Sequence, residues 1–188
     1  MTSPHGANAP AAALRIDLHA HSTASDGTAS PTQFAETAAL AGLHVVALTD
    51  HDTVAGVAEA VAAAAPLGVR VVPGVELSVM DGKDEVHLLG LHLADIAAIA
   101  DALVTFQDGR RARAAAMVRV LNTHAIPVTM DDVLREAAGG AVGRPHVARA
   151  LIAGGWVTDS REAFDRWLGA GRPAFVDKPR LEVADGVA

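Results

Sequence analysis

Between Leu14 and Leu93 the chain alternates short apolar runs with helix signals, and this alternation restricts the fold more than any other feature of its 188 residues. "LRIDLHA" (14–20) reads as a strand. "SPTQFAETAALAG" (30–42) reads as a helix with complete punctuation: Ser30 at the N-cap, Pro31 at N1, Gln33 closing a capping box and Gly42 past the end. "HVVALTD" (44–50) is almost wholly apolar up to its last residues, as a strand buried on both faces must be. "TVAGVAEAVAAAAPLG" (53–68) is a second helix, closed by Pro66 and Gly68. "VRVVPGVELS" (69–78) and "DEVHLLGLHL" (84–93) are two more strands. A β-α-β-α-β order predicts parallel strands joined by right-handed crossovers.

Past Leu93 the pattern turns helical. Residues 95–123 read as one or two helices, followed by helices in "TMDDVLREAA", "RPHVARALIAGG" and "DSREAFDRWLG", the last with an Asp159/Glu162 capping box. The next strand signal is "PAFVDK" at 173–178. The expected organisation is a flexible tail over 1–13, a first α/β part over 14–94, a helical insertion over 95–172 and a return to the α/β part over 173–188.

Composition limits the function classes. Apolar residues make up 51% of the chain but aromatics only 3%, so the core must be built from Val, Leu, Ile and Ala. The formal charge of −7 argues against an extended nucleic-acid surface, while a small phosphorylated substrate stays possible. There are no cysteines, which removes disulfides, thiolate zinc sites and cysteine nucleophiles together and fits a cytoplasmic protein. No apolar run nears the ~20 residues of a membrane span. No signal peptide is read at the N-terminus.

Residues with donor side chains gather at the predicted strand ends. The first strand supplies His19 and His21, with Asp26 in the loop behind them. The second ends in Asp50, His51 and Asp52, the third carries Glu76 and the fourth His87. Strand spacing puts His19 and His21 on one face. In a parallel α/β sheet the C-terminal strand ends share one rim, where active sites sit. Each residue alone has an ordinary structural reading as cap, turn or core histidine. Together they would require several costly buried polar groups at one rim by accident. Imidazole and carboxylate donors without thiolate suit Zn, Mn or Fe(II), and this many donors suits two or more ions. His5, His44, His92 and His124 are read as structural or without a role, and "GRRAR" (109–113), which could touch substrate, is better explained as a solvated helix face.

"DLHAHSTASDGTASP", "ALTDHDTVAG", "VVPGVELS", "HLLGL" and "GRPHVARAL" resemble the PHP (polymerase and histidinol phosphatase) family of metal-dependent phosphoesterases, from about Arg15 to Val176 and in motif order. Within it the chain is similar to the bacterial group of 3′,5′-nucleoside bisphosphate phosphatases and ribonuclease AM proteins. The resemblance implies a distorted (β/α)7 barrel with an inserted α-helical subdomain. It implies metal ligands at His19, His21, Asp26, His51 and Glu76, with His87 as a further one, for two or three divalent ions. Asp52 would ligate or orient, and Asp50 would hold an imidazole ring. Arg144 and His146 of "GRPH" would grip the substrate phosphate. The implied activity is hydrolysis of phosphate esters in nucleotides or short RNA ends by a metal-activated water. The alternatives are a histidinol-phosphate-type phosphatase and a non-catalytic metal- or nucleotide-binding module. Two later family motifs, an "AHP"-like and an Asp-x-His strand end, do not occur in these residues, so the barrel is expected to be incomplete here and the chain to be the N-terminal part of a longer protein or a truncated gene product.

Overall fold

The computed structural model describes residues 13–82 and 84–177. Its order is β1 (Ile16–Asp17), α1 (Pro31–Leu40), β2 (Val45–Leu48), α2 (Val57–Ala64), β3 (Arg70–Asp81), β4 (Asp84–Leu91), α3 (Ile96–Thr123), α4 (Met130–Ala137), α5 (Arg144–Ala153) and α6 (Ser160–Ala163), which runs into a π-turn at Phe164–Leu168. The four strands form a sheet in the order β1-β2-β3-β4. β1, β2 and β3 are parallel as expected, with Val45–Leu48 beside Arg70–Pro73. β4 departs from the expected pattern. No helix separates it from β3, so the chain folds straight back, pairing Asp81 with Asp84 and Gly74 with Leu91 in an antiparallel hairpin.

The first helix begins as its sequence predicts: Ser30 Oγ accepts from Gln33 N, and Gln33 Oε1 accepts from Ser30 N. α2 starts at Val57, four residues later than Thr53, because Thr53 to Gly56 are spent carrying the chain away from the site. α1 and α2 cover one face of the sheet through Phe34, Ala35, Ala38, Ala60 and Ala64, packed on Val46, Leu48 and Val69. Small alanines let both helices lie close to the strands.

Residues 96–123 are a single helix of 28 residues. Its N-terminal half lays Leu103, Ile96, Ile99 and Phe106 against Val54, Val57 and Val75. Its C-terminal half joins a separate core with α4, α5 and α6, centred on Met117, Leu121, Val133, Val147, Leu151 and Leu168. At α6, Asp159 Oδ1 accepts from Glu162 N, but the Glu162 carboxylate reaches Thr158 N and Oγ1 instead of closing the expected box. The strand expected at 173–178 is not formed over 173–177, and Lys178 lies outside the described residues. Ala174 N donates to the Trp167 carbonyl and Arg113 Nε to the Val176 carbonyl, which ties this stretch to the helical layer. The expectations for residues 1–12 and 179–188 also lie outside the described residues.

Candidate metal centre

Glu76 is the centre of the site. Along β3 the side chains alternate, so Glu76 and Ser78 face one way while Val75, Leu77 and Val79 face the other. Glu76 is 1% exposed, which without partners would be a severe cost for a carboxylate. Four imidazoles surround it. Its Oε2 lies 3.0 Å from His19 Nε2, 3.0 Å from His21 Nε2 and 3.5 Å from His51 Nδ1, and its Oε1 lies 2.6 Å from His87 Nδ1. Burial alone would push the Glu76 carboxyl up. The His19 contact and the His51, His87 and His21 charges outweigh it and hold the group below the ordinary carboxylate range.

Each donor has a local reason for its place. His19 and His21 follow β1, where Ala20 is fixed by Thr49: Ala20 N donates to Thr49 Oγ1, and Thr49 N donates to the Ala20 carbonyl. The residues on either side of Ala20 therefore turn to the rim. His51 follows β2 and forms a parallel bridge to Glu76, extending the β2–β3 ladder to the site. His87 is not at a strand end. It sits inside β4 opposite Ser78, and directly opposed residues of an antiparallel pair share a face. Asp26 comes from the loop after β1, with its oxygens 3.5 Å from His21 Nδ1 and 3.7 Å from His51 Nε2. Burial, helped by the nearby Arg110 charge, pushes His51 down to about 4. At neutral pH its imidazole is therefore uncharged, the form that offers a lone pair to a cation.

Asp50 has a different role from the one its sequence suggests. Its carboxylate accepts from Ser22 N at 2.7 Å, Ser22 Oγ at 2.7 Å and Ser25 Oγ at 2.6 Å. It thus holds the loop that presents Asp26, where an imidazole contact was expected. Burial raises its pKa, opposed by those hydrogen bonds. Gly27 in the same loop is needed for close approach, since a Cβ there would lie 2.6 Å from the His21 carbonyl oxygen.

Asp52 faces away from the donors. It is 1% exposed and has φ +51, a conformation Asp tolerates better than most residues. Its carboxylate accepts from Ser78 N at 3.1 Å and pairs with Arg110 Nε on α3. Arg110 belongs to a run that could touch substrate but that the sequence favours as a solvated face; in the structure it turns into the site, as does Arg113 of the same run. A signal was present: the buried stripe Leu103, Phe106, Met117, Leu121 on α3 has a gap at helical spacing, and arginines fill it at 110 and 113. An arginine inside an apolar stripe has its charge directed at something. Arg111, off that stripe, is exposed.

Arg110, Arg113 and Arg144 line one cavity of about 180 Å³ together with Asp26, His51, Ser78 and His87. Met117, Val142 and Phe164 supply its apolar walls. Arg144 lies over Phe164 and Phe175, 5.9 and 6.0 Å from the ring centres. His146, the other candidate from "GRPH", is 1% exposed and does not line this cavity. Its Nδ1 accepts from Gly143 N at 2.9 Å, closing the start of α5, and burial lowers its pKa. His44 Nδ1 accepts from Arg15 N, and His124 packs 5.4 Å from the Trp167 ring centre, both structural as expected.

The donor set fits a metal. Among the described residues, three groups of three have ligand atoms within 4.8 Å of one another: His19, His21 and Glu76; His21, Asp26 and His51; His51, Glu76 and His87. Each group shares a residue with each of the others, as adjacent cation sites do. His19 Nε2 and His21 Nε2 face each other at 3.2 Å across the same carboxylate oxygen. His21 Nδ1 and His51 Nδ1 are buried without a hydrogen-bond partner among the described residues. Lone pairs crowded in this way are relieved by a cation.

Comparison with known proteins places this geometry. The PHP domain matches residues 17–170. The chain is 40% identical over 163 residues to a 5′-3′ exoribonuclease of Haemophilus influenzae, covering 86% of this chain and 59% of that protein. It is 38% identical over 174 residues to a 3′,5′-nucleoside bisphosphate phosphatase of Chromobacterium violaceum, covering 92% and 61%. Among solved structures it resembles an amidohydrolase from Chromobacterium violaceum with bound sulfate (TM-score 0.82, 36% identity, 93% of this chain and 61% of that one). It also resembles a protein from Bifidobacterium adolescentis assigned as a metal-dependent phosphoesterase (TM-score 0.85, 33% identity, 93% and 62%). The chain thus spans about three-fifths of the length of these relatives. With the family domain matched across most of its residues, on the strands and helices that build the donor cluster, the chain belongs to the PHP domain family.

Proposed function

We propose that the protein is a metal-dependent phosphoesterase that hydrolyses phosphate esters of nucleotides or short RNA ends. One observation carries this reading: a cluster of imidazole and carboxylate donors sharing Glu76 borders a cavity whose other wall holds Arg110, Arg113 and Arg144. Cations on one side and guanidinium groups on the other are what a phosphoryl group with three charged oxygens requires.

His19, His21, Asp26, His51, Glu76 and His87 would hold two or three divalent ions of Mn, Zn or Fe, which supply Lewis acidity and lower the pKa of water when bound. The chain's own residues do the rest. Arg144 and Arg110 bind the phosphoryl oxygens and fix the ester for in-line attack by water. Charge that develops on those oxygens as the phosphorus–ester bond breaks is offset by the same guanidinium groups. Met117, Val142 and Phe164 limit water on the far side. His146 holds the start of α5, and so the position of Arg144 two residues earlier in the chain. Residues 95–172 then act as the inserted subdomain that supplies the substrate wall. The names of the relatives, a nucleoside bisphosphate phosphatase and an exoribonuclease, favour a nucleotide or RNA end over a histidinol-phosphate-type substrate.

The test is turnover of a nucleoside 3′,5′-bisphosphate, a short 5′-phosphorylated RNA and histidinol phosphate, each with added Mn. The expected result is phosphate or nucleotide release from the first two, and its loss in His19→Ala/His21→Ala together with lowered bound metal. Unchanged metal content in that double variant would overturn the ligand assignment.

A further inference from the structure

We infer that Asp52 is a positioning residue that aims Arg110 at the substrate phosphate and ties the helical insertion to the metal centre. The inference rests on the phosphoesterase reading for what Arg110 grips, and on the following geometry for how it is held.

Asp52 reaches both halves of the molecule at once. Its backbone N donates to the Glu76 carbonyl at 3.0 Å, and its Oδ1 accepts from Ser78 N at 3.1 Å, so it is fastened to the strand that carries the central carboxylate. Its Oδ2 takes Arg110 Nε, and its own carbonyl accepts from Gln107 Nε2 at 3.2 Å, so it is fastened to α3 as well. Arg110 Nη2 donates to Ser78 Oγ at 2.9 Å. One edge of the guanidinium is therefore occupied by Asp52 and Ser78. A guanidinium has five N–H donors in a rigid plane, so fixing one edge sets the direction of the others.

That direction is toward the phosphate wall. Nη1 of Arg110 would be 3.3 Å from a Cβ at Gly143, the residue that begins "GRPH" and precedes Arg144. The Arg110 side chain is 11% exposed and lines the same cavity as Asp26, His51 and His87. A flexible cation in this place would lose rotamer freedom on binding phosphate. Asp52 removes that loss in advance. The φ of +51 has a reason in this scheme: it is the turn that lets one residue after His51 point at α3 while His51 points at the donors.

Asp52→Asn is the informative change. Asn accepts the same φ and its Oδ1 can still accept from Ser78 N, so the backbone stays, while an amide NH2 replaces the charged acceptor that holds Arg110 Nε. The readouts are titration with inorganic phosphate, bound Mn by elemental analysis, and the NMR signal of Arg110 Nε–H. The expected result is about tenfold weaker phosphate binding, a shifted Nε–H signal and unchanged Mn content. Asp52→Asn with Arg110→Gln should bind phosphate no more weakly than Arg110→Gln alone, since Asp52 acts through Arg110. Ser78→Ala, which removes the other anchor of the guanidinium without touching Asp52, should weaken phosphate in the same direction, and it stands in if Asp52→Asn does not fold. Loss of Mn in Asp52→Asn would make Asp52 a ligand and overturn the inference. Additive losses in the double variant, or unchanged phosphate binding in Asp52→Asn or Ser78→Ala, would overturn it too. Phosphate titration needs no turnover, so a failure of the phosphoesterase reading is seen separately as absence of hydrolysis by the wild-type protein.

Discussion

Glu76 in the sheet and Leu151 in α5 are equally shut off from solvent, at 1% and 0% exposure, yet their surroundings are opposites. Around Glu76 stand four imidazoles. Around Leu151 stand Met117, Leu121, Val133, Val147 and other apolar groups of one continuous cluster. Among the described residues the buried polar ones follow the same division: Ser22, Ser25, Thr49, Asp50, Asp52, Thr53, Glu76 and Ser78 belong to the sheet half, Arg113 and His146 to the helical half. The sheet half carries the cost of buried charge around donors that could hold cations. The helical half carries less of that cost and can be stable enough to hold a wall of arginines against it. Stability and chemistry should therefore respond to different substitutions.

The largest expected effect is at Glu76. It belongs to two of the three donor groups, so Glu76→Gln removes a charge from both. Metal affinity should fall by more than the ~10–100-fold controlled by residues that only orient ligands. Calorimetric titration with Mn measures this, and helical content by circular dichroism should be unchanged. A variant that binds Mn like the wild type would show that the sheet half is merely a polar core.

Leu151→Ala should do the reverse. Its site in a fully packed cluster predicts a loss of ~2–5 kcal/mol of stability, with the metal content of the folded protein unaltered. Denaturant unfolding reads the first and elemental analysis the second. Metal loss without destabilisation would erase the division between the halves.

This division also explains what was legible in the sequence. The parallel β-α-β-α-β frame follows from local signals, caps and apolar runs, and so does the gathering of donors at strand ends; choosing His19, His21, Asp26, His51, Glu76 and His87 among those donors needed the family resemblance. The antiparallel turn of β4 was not visible, because strand pattern carries no direction and only the short connection from Asp81 to Asp84 decides it. Substrate contact by the run that holds Arg110 ranked second because a basic run on a helix is ordinarily solvated. The true partner of Arg110, Asp52, is 58 residues away and is found only by folding. Asp50 illustrates the same limit: its burial could be inferred, but not that Ser22 and Ser25 would take its oxygens. "PAFVDK" has strand composition, yet at 173–177 it is held by Trp167 and Arg113, long-range partners that override local preference.

The smallest expected effect is acid sensitivity, and here the two halves should differ in sign. In α4 the Asp132 carboxylate accepts from Thr129 Oγ1 and Thr129 N and pairs with Arg135, which together hold it down to about 2. A carboxylate depressed below its ordinary value of 3.8 adds stability above that value and loses it as pH falls through the window from there to about 2. Asp50 in the sheet half is raised by burial, so its native form takes up a proton first, and protonation relieves the desolvated charge. Its contribution is most favourable below the ordinary carboxylate value and declines as pH rises through its elevated pKa. Amide hydrogen exchange, corrected for intrinsic rates, separates the two. Between pH 4 and 2 the amides at the start of α4 should lose protection, and Asp132→Asn, which cannot titrate, should remove that pH dependence. The Asp50 contribution is complete below the ordinary carboxylate value and is lost only as pH rises above it, so the loop held by Asp50 should change in that higher window instead, and Asp50→Asn should abolish that change. If α4 in Asp132→Asn still lost protection over the same window, the sensitivity would lie in the packing of the helical core and not in its cap.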